Sequence, residues 1–349
     1  MPAQNTFGLD IGTSTTKLIQ LNKNGDKFDL IAHGIISSPP RALASEAIED
    51  QEELSEVLKR LVDEARPTTK NVVTALPESQ IFTRVIDMPL LSESELASAL
   101  KWEAEQYVPL PLTDVELDWQ ILDQITSTDA KNPKMEILLV AAPKLLVEKY
   151  MKVLNMVGLN PLSLETEPIA LNRSLLTSVS SSPTTLIISF GASTTDVCII
   201  RSGKLTFTRS ISTGGIALSR AVAQDLGFEL SQAEEYKKTY GLDASQLEGK
   251  VMQSIKPVFD VVVNEIRRAL AYYLGKRPDD PIKRAVVTGG SAKMPGLVVY
   301  LANSLGVEVQ IGNPWENILL PPSNKQKLID QSVEYATCVG LAMREEQDA

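Results

Sequence analysis

FGLDIGTSTTKLIQL, residues 7–21, returns in altered form at residues 187–200 as IISFGASTTDVCII. Setting Gly12 against Gly191 brings Ser14-Thr15-Thr16 onto Ser193-Thr194-Thr195. Each copy opens with a short apolar run, turns at glycine and hydroxyl residues, and leaves as a second run rich in β-branched side chains. That is the pattern of a strand–turn–strand hairpin. The likeness extends outward: NKNGDK (22–27) leads to FDLIAHGII (28–36), and RSGK (201–204) leads to LTFTRSI (205–211). Each flank predicts a third strand reached through a tight turn. A copied three-stranded meander predicts two related domains in one chain.

Paired turns of this kind have a chemical use. Glycine lets backbone approach a ligand closely, and consecutive N–H and hydroxyl groups converge on an anion. Two such turns facing each other would clamp a polyphosphate, with Gly12, Thr13, Ser14 and Thr15 on one side and Gly191, Ala192, Ser193 and Thr194 on the other. Gly214 and Gly215 precede the helical run IALSRAVAQDL, and N–H groups at a helix start also suit a phosphate. A third glycine turn, Gly289-Gly290-Ser291, follows the apolar strand AVVT (285–288) and precedes the helical run LVVYLANSL. Glu234 and Lys237, spaced i and i+3, share one helix face, as ligand contacts or as a solvated surface. Lys17 is placed to offset phosphate charge, or is an ordinary strand-surface lysine. No G-x-x-x-x-G-K-[ST] is present, which excludes a P-loop.

Composition narrows the function classes. A net charge of −10 argues against nucleic-acid binding, which needs clustered Lys and Arg. One histidine and two cysteines, Cys198 and Cys338 in apolar runs, predict buried thiols rather than a zinc site or disulfide. MPAQNTFGLDIG lacks the charged and apolar regions of a secretory leader, and no apolar run approaches the ~20 residues of a membrane span. No direct membrane insertion is expected.

The duplicated clamp with a late glycine turn resembles the actin, chaperone and sugar-kinase superfamily. Within it, ALPESQIFTRVIDMP (75–89), KWEAEQYVPLP (101–111), LLVAAPKLLVEKY (138–150) and AEEYKKTYGLD (233–243) resemble, in this order, segments of the PilM family of type IV pilus assembly proteins, which is related to FtsA. The resemblance runs from about Phe7 to Met343. It implies an α/β, actin-like (ribonuclease H-like) two-domain fold with a duplicated β-meander and an inserted small α+β subdomain. It also implies ATP and Mg²⁺ as ligands, with Asp10 and Asp196 on the metal side, Glu234 and Lys237 at the ribose and adenine, and Gly289, Gly290 and Ser291 at the adenosine. Ser189 stands where the superfamily often has an aspartate, and Glu165 or Glu167, in LSLETEP, would orient the attacking water or simply favour a helix start. ATP binding is therefore expected, with ATPase activity weak or absent. The expected role is a cytoplasmic component of the pilus inner-membrane platform. It would dock the short N-terminal tail of a PilN-like membrane protein beside the inserted subdomain and associate with the membrane only through such partners. The alternatives are an FtsA-like division protein, which the short acidic ending MREEQDA disfavours, and a small-molecule kinase of the same fold.

Expected boundaries are a first domain at 1–70, 161–182 and 326–349, an insert at 71–160, and a second domain at 183–325 with a helical part at 214–275. The Ser-rich stretch 177–185 is the expected junction, and a helix near Tyr335–Arg344 is expected to cross back. In the predicted helix 93–107, Leu96, Leu100, Ala104 and Tyr107 share an apolar face, while Trp102 lies off it, either packed under a neighbour or offered to a partner. Trp119 and Trp315 are read as structural.

Overall fold

The computed structural model describes residues 5–41, 44–125, 134–176 and 183–345. The chain starts as the meander β1 (Phe7–Ile11), β2 (Thr15–Asn24) and β3 (Lys27–Ser37), followed by helix α1 (Ile48–Ala65) and strand β4 (Asn71–Leu76). Next come β5 (Phe82–Pro89), helix α2 (Glu93–Tyr107), β6 (Val115–Ile125) and β7 (Lys134–Pro143). Helix α3 (Lys144–Met156), strand β8 (Asn160–Thr166) and helix α4 (Glu167–Leu175) lead to the second meander, β9 (Thr185–Phe190), β10 (Thr195–Arg201) and β11 (Lys204–Ile211). The rest runs α5 (Gly215–Leu226), α6 (Leu230–Tyr240), α7 (Lys250–Lys276), β12 (Arg284–Thr288), α8 (Leu297–Leu305), β13 (Glu308–Ile311), β14 (Ile318–Leu319), α9 (Lys325–Asp330) and α10 (Ser332–Ala342). Among the described residues, no helix is long and apolar enough to cross a membrane.

Two sheets carry the duplication. One has strand order β14-β3-β2-β1-β4-β8 and the other β11-β10-β9-β12-β13. In each, the first meander strand pairs antiparallel with the second and parallel with a strand arriving later, β1 with β4 and β9 with β12. The copies agree even in their irregularities. The ladder to the third strand slips between Gln20 and Leu21 in one and between Ile199 and Ile200 in the other, the same distance beyond the turn glycine. All five β1 residues are buried, as expected of a central strand covered on both faces.

The inserted subdomain is shorter than the 71–160 expected. Asn71–Leu76 is β4, hydrogen-bonded between β1 and β8, and α3 packs Leu146, Tyr150, Val153 and Leu154 into the first domain's core. The insertion proper is the antiparallel sheet β5-β7-β6 with α2. The error has a physical source: a buried parallel strand and a strand of a separate subdomain look alike until their pairing is known. The return to the first domain also comes before residue 326, because β14 pairs with β3 and Trp315 packs with Ile19 and Tyr335. Residues 177–182 of the expected Ser-rich junction lie outside the described residues.

The insert's sheet is covered on both faces. Ile86, Ile137, Leu139 and Ala141 meet Leu96, Leu100 and Ala104 of α2, the face its periodicity indicated. Leu122, Leu138 and Val85 meet Ile187, Cys198 and Ile200 of the second domain. Tyr107 leaves that helix face: it is 38% exposed and carries the Arg84 guanidinium 3.9 Å above its ring. Trp119, on the edge strand β6, is 37% exposed rather than packed inside. Both cysteines are buried and free.

Helices α4 and α10 pack against each other between the sheets. Gly340 of α10 lies so close to α4 that an added Cβ would overlap the Ala170 backbone. Because the obstacle is backbone, no side-chain movement relieves it. Gly340→Ala should destabilise the protein by at least about 3 kcal/mol, the upper range for overpacking, read as a large fall in the thermal midpoint.

Candidate functional site

The two hairpin turns are built alike. Gly12 donates its N–H to the Thr15 carbonyl (3.2 Å), and Gly191 donates to the Thr194 carbonyl (2.9 Å). The first turn is braced from behind by Ser38, whose N–H reaches the Ser14 carbonyl and whose Oγ reaches the Gly12 carbonyl at 2.6 Å. With the backbone so held, Thr13 and Ser14 are exposed, and Ser193 matches them on the second turn.

The second turn gathers three of the glycine motifs. Gly215 N–H donates to the Gly191 carbonyl and Ile216 N–H to the Ala192 carbonyl, both at 2.9 Å, which seats the start of α5 on the turn. A Cβ on Gly215 would lie 2.6 Å from Ser291 Oγ and 3.0 Å from Lys237 Nζ. Gly289 has φ +87° and presses against the Phe190 backbone, so the Gly289-Gly290-Ser291 turn abuts the same strand end. Lys237 Nζ donates to Glu234 Oε2 (2.7 Å) and the Gly215 carbonyl (3.1 Å), and Ser219 Oγ also donates to Glu234. Burial draws the Lys237 ammonium below its usual range. Burial works to raise the Glu234 carboxyl, but the bonds from Lys237 and Ser219 outweigh it and leave it lowered. The pair ties α6 to the start of α5.

Carboxylates meet where the domains join. Asp10, across the ladder from Lys17, receives the Lys17 ammonium at 3.0 Å. Burial opposes that ammonium, yet the Asp10 charge prevails and holds it above its usual range. The matching pair in the second copy is Ser189 opposite Asp196, so the cation and its partner are not repeated. Burial raises Asp196 despite a 3.1 Å bond from Thr194 Oγ1. The hydroxyl of Ser210, its cross-strand neighbour, also works to lower it, but among the described residues Asp196 Oδ1 makes no full hydrogen bond.

The two glutamates left open by the sequence separate. Glu165 accepts both guanidinium nitrogens of Arg173 (3.0 and 3.2 Å) and pairs with Arg344 at 3.1 Å, which commits it to bracing α4 and the C-terminal segment. Glu167, at the α4 start, is raised well above the carboxylate range by burial and then by the charges of Asp196, Asp10 and Glu78. The charges that act on it come from both domains.

Glu78 is the residue that sequence reading missed. It is 6% exposed, just after β4, and accepts Thr208 Oγ1 of the second domain at 2.9 Å and Thr83 Oγ1 at 3.3 Å. Burial pushes its carboxyl up to about 8. A single glutamate after a proline carries no signal of this; only the domain packing buries it.

These residues fit a magnesium nucleotide. Exposed hydroxyls and turn backbone would meet phosphates, and Asp10 with the unpartnered Asp196 Oδ1 would face the metal's water shell. Among the described residues, no three His, Cys, Asp or Glu side chains converge to ligate a metal directly, so any Mg²⁺ would depend on phosphate and water for most of its shell.

The raised carboxyls have a measurable consequence. Between the unfolded value near 4.5 and the folded value near 8, Glu78 binds more protons folded than unfolded, so its effect on stability becomes unfavourable as pH rises. Glu78→Gln keeps an acceptor for Thr208 and removes this titration. Its thermal midpoint should fall less than wild type from about pH 5 to 8 and exceed it at about pH 8. Parallel profiles would refute the burial of a titrating carboxyl.

A family profile described as type IV pilus assembly protein PilM matches residues 8–346. A solved PilM–PilN type IV pilus biogenesis complex superposes with a TM-score of 0.85 at 29% identity, covering 97% of this chain and 98% of that one. MreB5 of Spiroplasma citri, solved with AMPPNP bound, superposes with a TM-score of 0.54 at 15% identity over 96% and 94% of the two chains, a likeness of fold. The cell division protein FtsA of Neisseria meningitidis is 21% identical over 356 aligned positions, 88% of this chain and 83% of that protein. With matched residues spanning almost its whole length and an actin-like fold of two duplicated sheets, this chain belongs to the PilM family of type IV pilus assembly proteins.

Proposed function

We propose that the protein binds ATP with Mg²⁺ between its two hairpin turns, and that the nucleotide sets the relation of the domains. The inserted subdomain thereby serves as a docking platform for the N-terminal cytoplasmic tail of a PilN-like inner-membrane protein. The observation that supports the nucleotide reading is the matched closure of the two glycine turns, Gly12 on Thr15 and Gly191 on Thr194, with Thr13, Ser14 and Ser193 left exposed on them. Asp10 and Asp196, at the bases of these turns, are buried carboxylates, and the hydrated metal of a magnesium nucleotide would offset their charge.

The same electrostatics argue for binding without efficient turnover. Burial and the neighbouring carboxylates favour the protonated form of Glu167, which is the form that does not accept a proton from water, and Ser189 supplies no second carboxylate opposite Asp196. The nucleotide then acts as a structural ligand.

Docking is supported by the fold shared with the PilM–PilN complex and by the surface of the insert. Trp102 is 74% exposed, so it does not pack under a neighbour; Tyr107 and Leu110 are also partly exposed at the end of the same helix. Large aromatics left open near an interface are typical binding anchors. The protein would then reside in the cytoplasm, at the inner membrane through its partners.

A fluorescent ATP analogue titrated with Mg²⁺ should bind Asp10→Ala at least about tenfold more weakly than wild type, with thermal unfolding run alongside to show that the variant folds. Equal affinity in a folded variant would remove the site assignment. A synthetic PilN-type N-terminal tail should bind Trp102→Ala roughly tenfold more weakly by calorimetry, with nucleotide affinity unchanged. Undiminished tail binding would move the docking surface away from α2.

A further inference from the structure

A second recess lies away from the turns, between the insert and the second domain. It is a groove of about 690 Å³ with β5 and the start of β7 on one side and β11 and α7 on the other. Its charge is opposite to that of the protein. The chain carries 34 basic and 44 acidic side chains, yet the groove is lined by Arg84, Lys134, Arg209, Arg268, Lys276 and Arg277 against two acids, Asp87 and Glu136.

Some of those cations are already neutralised. Arg277 and Arg201 share Glu136, and Arg209 and Arg268 share Glu265. Arg84, Lys134 and Lys276 are exposed and make no ion pair among the described residues. Two of them are held by aromatic rings instead: Arg84 lies 3.9 Å above Tyr107, and Lys276 lies 5.1 Å above Tyr272. A ring face positions a cation without cancelling its charge, so these groups stay available to an anion.

The walls add a second kind of recognition. Among the described residues, β5 is an edge strand paired only with β7, and β11 an edge strand paired only with β10. Each presents backbone N–H and C=O groups without a ladder partner toward the groove, a template for an added extended segment. Unpaired cations beside unpaired strand edges call for a ligand that is both anionic and able to complete a ladder.

We infer that this groove binds an extended acidic peptide segment, with its carboxylates on Arg84, Lys134 and Lys276 and its backbone along an exposed strand edge. A flat membrane surface does not reach between two domains, and a small polyphosphate gains nothing from the strand edges. Because one wall belongs to the insert and the other to the second domain, a peptide held there would bridge the two. The site shares no residue with the hairpin turns, and it adjoins the Trp102 surface at Tyr107, on which Arg84 rests.

The test uses the full chain and a fluorescein-labelled hexaglutamate peptide, followed by fluorescence anisotropy. Binding should be measurable at low ionic strength and weaken as salt approaches about 150 mM. The double variant Arg84→Glu, Lys276→Glu should lower affinity by more than about tenfold while leaving the ATP-analogue affinity as in wild type. A hexaglutamate N-methylated at alternate residues should bind several-fold more weakly, since it cannot complete a ladder. No detectable binding, or equal binding by the double variant, would overturn the inference. So would equal affinity of the methylated peptide, or displacement by tripolyphosphate or phosphatidylglycerol vesicles at matched charge.

Discussion

Several carboxylates share the seam where the two domains meet, and little in the seam offsets them. Lys17 neutralises Asp10, but Glu78, Glu167 and Asp196 are buried with hydroxyl or backbone partners and are raised above their ordinary range. Burying an ionised carboxylate without a cation costs several kcal/mol in practice, so the group keeps its proton or waits for a counter-charge. The packing of α4 and α10 between the sheets holds these acids together despite that cost. A close backbone approach at Gly340 makes the spacing rigid. In the proposed reading, the Mg²⁺ ion of the nucleotide complex faces Asp10 and Asp196 as their counter-charge, and binding it stabilises one arrangement of the domains.

Glu78 connects that seam to the insert. It sits between β4, a strand of the first sheet, and β5, the first strand of the inserted sheet, while its carboxyl is held by Thr208 of the second domain. The same inserted sheet lays Val85, Leu122 and Leu138 on the second domain's β9 and β10. The insert is therefore joined to the first sheet through the chain at β4, and held to the second domain by apolar burial on one face and a hydrogen-bonded acid at its root.

The asymmetry between the copies lies in the pair of side chains that face each other across the first ladder. Asp10 faces Lys17 in the first copy, whereas Ser189 faces Asp196 in the second. The backbone bonds that close the turns are retained in both. The turn geometry depends on glycine and local hydrogen bonds, so it survives substitution of the cross-strand pair; the charge pattern depends on those side chains and has diverged.

The amino-acid sequence by itself determined the duplicated meanders, the glycine turns, the buried thiols and the apolar face of α2, because each rests on residues within a turn or two of one another. It also indicated that Glu165 and Glu167 were alternatives without separating them, since adjacent acids at a helix start look alike from the chain. Only the tertiary structure tied Glu165 to Arg173 and Arg344, buried Glu167 among other carboxylates, and buried Glu78 against Thr208. It alone decided that β4 and α3 belong to the first domain and that the insert begins after them. Strand pairing and side-chain burial are set by partners far away along the chain, and the free energy of ionising a carboxylate depends on what surrounds it in space rather than on its neighbours in sequence.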